Sequence, residues 1–206
     1  MEPLLGIPLG LALSTAAGLR VFVPLLLTGL AARLGYLTLT PSMTWIGSDA
    51  ALLAFATATV LEVGAYYVPW LDNVLDTVGT PAAITAGVIT TAAVTPELSP
   101  LLRWTLAIVA GGGAAGLVQG GTALLRLKSS AFTAGVGNPV LATGELVGSL
   151  ALSALALLAP LLAAAVVILV LVVSTRRLVR LLRERSVSSG CPADLAQSTA
   201  LNIRSS

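Results

Sequence analysis

Six stretches of this chain, about 5–32, 49–68, 79–95, 101–125, 139–158 and 160–178, are apolar runs, several of them near 20 residues long with hardly a charge. A helix rises about 1.5 Å per residue, so about 20 such residues cross the roughly 30 Å of hydrocarbon in a bilayer. The chain therefore reads as an all-α, polytopic membrane helix bundle of about six transmembrane helices. Composition agrees. The 206 residues are 56% hydrophobic and 10% charged, with a mean hydropathy of +0.97, whereas soluble domains carry about 25% charged residues.

Against that background the charges inside the runs carry the information. Glu62 lies well inside the second run, where an ionised side chain costs about 2.5–3.5 kcal/mol on insertion scales. Glu145 follows in the fifth run, and Arg20 sits in the first, in Gly18-Leu19-Arg20-Val21-Phe22-Val23-Pro24. Pro24 is the expected site of a kink. Pro69 separates Glu62 from Asp72, Asn73 and Asp76, so the two groups are not expected on one straight helix. A helix over 71–78 would put those three polar residues on one face and Leu71, Val74, Leu75 and Val78 on the other, the pattern of a short helix at the membrane surface.

Other segments set the architecture. The 35–47 connection, with Tyr36, Pro41 and Trp45, reads as an interfacial loop with aromatic anchors. Gly112, Gly116 and Gly120 fall on one helix face, a stripe suited to close helix packing, to a homo-oligomer contact or to a substrate path. Gly135, Gly137, Asn138 and Pro139 suit a regular helix poorly, so a broken or re-entrant, non-helical segment is expected near 131–139, facing protein or water rather than lipid. Residues 1–185 read as one transmembrane domain, and 186–206 as a polar, disordered tail.

The chain has no histidine and one cysteine, Cys191. That excludes internal disulfides, imidazole or multi-thiolate metal sites and histidine acid–base chemistry. No cofactor is implied, and the first residues lack the positive region of a cleavable signal peptide. Arg176, Arg177, Arg180, Arg183 and Arg185 crowd one ten-residue stretch, while elsewhere acids outnumber bases, which argues against a nucleic-acid partner. The plain reading of the cluster is a topology signal and the sharper one a lipid-headgroup contact. With six spans both termini then face the cytoplasm of a bacterial inner membrane. Arg126 and Lys128 fall in a cytoplasmic connection on this reading, and Arg33 and Arg103 on the opposite side.

The two halves echo one another. Ala16-Ala17-Gly18-Leu19 matches Ala114-Ala115-Gly116-Leu117, and Leu61-Glu62-Val63-Gly64 resembles Glu145-Leu146-Val147-Gly148, in the same order. Repeats at 5–96 and 101–180, each of three spans, would be oppositely oriented, the 3+3 inverted-repeat plan of many secondary transporters. The chain also resembles a bacterial membrane family known as domain of unknown function number four-one-two-six. The resemblance rests on Gly18 to Pro24, on Leu61-Glu62-Val63 followed by Pro69, Asp72, Asn73 and Asp76, and on Gly137-Asn138-Pro139-Val140 followed by Glu145. It spans roughly residues 5–175. The family typically has a charged pair where this chain has Tyr66 and Tyr67, so no role of that pair carries over. The resemblance implies the architecture and no activity.

Three functions compete. A small transporter, proton-coupled through intramembrane carboxylates, would place Glu62, Glu145 and Arg20 in a shared cavity between the halves, with a small molecule, ion or lipid as substrate. Two carboxylates around one guanidinium would stand at net −1, and one extra proton would relieve the repulsion. The remaining candidates for substrate or proton binding are Asp72, Asn73, Asp76 and Asn138. A lipid-phosphate enzyme would hold a divalent metal between Asp72 and Asp76, although the further aspartates of six-span phosphotransferases are missing. A structural subunit of a membrane complex would use the apolar last span and the glycine stripe.

Overall fold

A computed structural model describes residues 5–65, 69–133, 137–172 and Arg176, with the side chains of 69–77 and 131–133 outside that description. The described residues hold helices and no strand, in the order α1 (Gly6–Leu19), α2 (Phe22–Arg33), a 3-10 segment (Pro41–Gly47), α3 (Asp49–Ala65), α4 (Pro69–Ala93), α5 (Pro100–Leu106), a π segment (Ala107–Gly112), α6 (Gly113–Thr133), α7 (Asn138–Leu158) and α8 (Pro160–Val172). The chain divides into two compact units, 1–167 and 168–206. Of the second, the described residues are the apolar end of α8 and Arg176. The remaining arginines of the cluster and the tail from Ser186 lie outside the described residues.

Among the described residues two helices are long and apolar enough to cross a membrane, Pro100–Ser130 and Asn138–Leu158. The 3-10 segment and α3, bent by 60° from one another, would make a third. The other apolar helices are shorter, and α1, at 14 residues, is only about 21 Å long. The first expected span is thus two helices in series. Its break is at Arg20, in extended conformation (φ −144°, ψ 123°), and not at Pro24. Pro24 stands in the first turn of α2, where a helix leaves N–H groups unpaired and a missing one costs nothing. Residues 71–78 are likewise no separate surface helix. They belong to the 25-residue α4, which also tolerates Pro81 in its interior. Of the segment 131–139 expected to be non-helical, 131–133 belong to α6 and Asn138 and Pro139 to the first turn of α7, while 134–136 lie outside the described residues.

Helix α1 is apolar on every side, and such a helix belongs inside a bundle. Leu9, Ala12, Leu13, Ala16 and Ala17 are wholly buried, and α4, α6 and α7 surround them. The crossings are close because glycines make them. A Cβ built on Gly18 would lie 2.6 Å from the Ala115 carbonyl oxygen, and one on Gly87 would lie 2.7 Å from that of Gly111. Hydroxyls tie the same crossings: Thr91 donates to the Gly10 carbonyl at 3.2 Å and Ser149 to that of Ala16 at 3.0 Å. Such interhelical bonds contribute about 0.6 kcal/mol each. Of the glycine stripe, Gly112 and Gly116 face Ile84 and Val88 of α4 in the same chain, while Gly120 faces open space. The stripe is thus filled from within at two of its three positions.

Candidate functional site

The break at Arg20 organises the polar interior. The hydrogen-bond ladder of α1 ends where the Arg20 N–H meets the Ala16 carbonyl at 3.0 Å. Helix α2 then begins with no side chain of its own to cap it. Its first N–H groups are satisfied from α3: Glu62 Oε1 accepts from the Val21 N–H at 2.9 Å and Oε2 from the Phe22 N–H at 3.3 Å. An anion at a helix N-terminus is favoured by the orphan donors and by the dipole together. Glu62 therefore caps α2 from a different helix.

The Arg20 side chain leaves the break on the opposite side, towards α7. Its Nη2 donates to the Ala142 carbonyl at 2.6 Å and stands 3.8 Å from Glu145 Oε2. Arg126 of α6 donates to the same carboxylate oxygen, in direct contact. Arg20, Glu62, Arg126 and Glu145 are 1, 8, 3 and 8% exposed, so all four charges are withdrawn from their surroundings.

Arg126 corrects the charge count expected from sequence. A cluster of Arg20, Glu62 and Glu145 alone would be short of one positive charge. Among the described residues there are two of each sign, because α6 continues past Arg126 and carries it inward instead of ending in a loop. The charges are unevenly distributed. Both guanidiniums gather on Glu145, while Glu62 has no cationic side chain within 4 Å among the described residues and is held by backbone N–H groups.

A cavity of about 540 Å³ opens beside Glu62. Val21, Phe22, Gly79, Ala82 and Gln119 are among its walls, and apart from Glu62 and Gln119 the described residues lining it are apolar. It adjoins a second, apolar groove of about 450 Å³ that follows α4 past Phe55 and Thr85 to Ile89. The two share Val21, Phe22, Val78 and Ala82. Gln119 is 4% exposed, its amide nitrogen is directed at Gly79, and its side chain makes no hydrogen bond with the described residues.

Of the residues singled out from sequence, Arg20, Glu62 and Glu145 thus come together around the break. Asn138 joins α6 to α7, its Nδ2 donating to Ser130 Oγ at 3.1 Å. Asp72, Asn73 and Asp76 lie in the first turns of α4, with side chains outside the described residues. Among the described residues no three His, Cys, Asp or Glu side chains are placed to hold a metal. Sequence reading missed Gln119 and Arg126. The signal was their spacing of seven, two turns on one face of α6.

No curated protein and no solved structure matches the chain. A family model matches residues 7–180, which takes in the break, both carboxylates and the cavity. On that match the chain belongs to the family described as Domain of unknown function (DUF4126).

Proposed function

We propose that the chain is a proton-coupled carrier of the bacterial cytoplasmic membrane, with the cavity beside Glu62 as its substrate site. One observation carries the reading: a buried carboxylate that caps a helix break also opens into an apolar cavity. Broken helices with exposed N-termini are where many secondary transporters bind their substrates and coupling ions. Protonation of Glu62 removes the anion from the start of α2 and weakens its hold on Val21 and Phe22. Helix α3 rests mainly on α2 and touches α4 little, so it is the element such a change would release.

The wider arrangement supports the same reading. Residues 1–185 form one transmembrane domain in this proposal, with repeats at 5–96 and 101–180 in inverted orientation and both termini in the cytoplasm. Each half supplies one buried arginine and one buried glutamate. Gly18 of one Ala-Ala-Gly-Leu motif also lies against Ala115 of the other. Membrane lipids surround the bundle, and the open face at Gly120 remains for a second copy.

Proteoliposomes loaded with a pH-sensitive dye test the proposal. An imposed pH gradient should collapse faster through the wild-type protein than through empty vesicles. Glu62→Gln, which keeps the shape, should remove that difference while the protein still folds. An unchanged collapse in Glu62→Gln, with sharply lowered thermal stability, would mean that the charge is structural and would sink the carrier reading.

A further inference from the structure

We infer that the cavity takes an amphipathic primary ammonium, its head group between Glu62 and Gln119 and its hydrocarbon or aromatic body along α4. This names the substrate class of the carrier proposed above and rests on that reading. Four observations lead to it. Among the described residues lining the two adjoining cavities, Glu62 is the one charged group. The carboxylate has about four acceptor sites, and the backbone N–H groups of Val21 and Phe22 take two. Both buried guanidiniums are engaged at Glu145, and among the described residues no cationic side chain lies within 4 Å of Glu62. Gln119, 96% withdrawn from its surroundings, lines the same space with an amide that no described residue satisfies.

An ammonium has three donors and fits this set. One N–H⁺ meets Glu62, which keeps its two backbone donors, and another meets the amide oxygen of Gln119. An anion would meet the carboxylate head-on. A neutral hydrocarbon would leave Gln119 buried and unsatisfied, which is costly. The remaining walls, Phe22, Phe55, Ala82 and Ile89 among them, suit an apolar body, and the volume falls in the range of small-ligand sites. The ammonium and a proton on Glu62 exclude one another, since a protonated acid no longer offers the anion. Exchange of one for the other then follows from a single site.

The test measures equilibrium binding of phenylbutylammonium to the full chain in nanodiscs, with empty nanodiscs as background. Phenylbutanol and phenylbutyrate serve as the neutral and anionic analogues. Saturable binding of the ammonium is expected, with affinity lowered about tenfold or more for the alcohol and in Glu62→Gln, the loss of one charge-assisted hydrogen bond. Gln119→Leu, which leaves the helix break untouched, should weaken binding about threefold or more. Equal binding in either variant, or an alcohol bound as tightly as the ammonium, overturns the assignment. Dye-reported proton movement in the same preparations reads the carrier proposal separately. Absent binding with Glu62-dependent proton movement intact sinks the ammonium site alone. Glu62-dependent binding without proton movement supports the site and sinks the carrier.

Discussion

The guanidinium of Arg20 and the backbone carbonyl of Ala142 meet at 2.6 Å across 122 residues of sequence. The contact fastens the helix break in the first apolar stretch to the side of α7, one turn before Glu145. With Glu62 gripping the other flank of the break, residues 20–22 are held from two helices that are far apart in the chain.

Glu145→Leu should be among the most destabilising single changes in the bundle. It would leave Arg20 and Arg126, each almost fully buried, without the carboxylate they share. Removing one partner of a buried ionic group costs about 3–5 kcal/mol. Denaturant unfolding in mild detergent, compared with wild type, checks it, and a loss below about 1 kcal/mol would contradict the central place given to this carboxylate.

Val21→Pro should fold. Val21 already has φ −64°, and Arg20 before it is extended, as a residue preceding proline must be. The change deletes the N–H that reaches Glu62 Oε1. A loss of about 1–3 kcal/mol is expected from that hydrogen bond to a charged group, together with altered proton movement in the dye assay. Wild-type stability and wild-type flux together would show that the cap does not matter.

Glycine substitutions should divide into two classes. Gly18→Ala and Gly87→Ala force backbone apart at the α1–α6 and α4–α6 crossings, where the new Cβ would sit within 2.8 Å of neighbouring atoms, and should cost about 1–3 kcal/mol. Gly64→Ala and Gly144→Ala meet nothing within 4 Å and should be neutral or stabilising by up to about 1 kcal/mol. Thermal unfolding followed by tryptophan fluorescence ranks the four.

Cys191 is the one cysteine in the sequence and reports topology without engineering. An impermeant maleimide should leave it unlabelled in intact cells and label it after permeabilisation. Labelling from outside would reverse the orientation proposed from the arginine cluster.

The residues of the site were legible from sequence to the extent that they broke a rule. Glu62, Glu145 and Arg20 are charges inside apolar runs, and such charges seek one another. Gln119 is neutral, and Arg126 follows a long apolar run beside Lys128, so each had a commonplace explanation as a packed amide and a loop cation. Arg126 is carried inward because α6 continues past it to Thr133, whereas Gln119 lies within the apolar run expected from sequence. The helix ends show the same limit. Pro139 stands in the first turn of α7 and Pro24 in the first turn of α2, whereas Pro81 lies inside α4. The break at Arg20 has no proline or glycine at its centre. It depends on a glutamate 42 residues later in the sequence.

The π segment at Ala107–Gly112 fixes an azimuth. A π turn holds about one residue more than an α turn, and one residue corresponds to about 100° of rotation. Everything after Gly112 is therefore out of phase, by about that angle, with a plain helix continued from Pro100. Gln119 and Arg126 point at the cavity and at Glu145 only with this offset in place. The bundle responds to the phase of α6 rather than to its residue count. A chain one residue shorter between 107 and 112, and α-helical throughout, would present the same two side chains in the same directions.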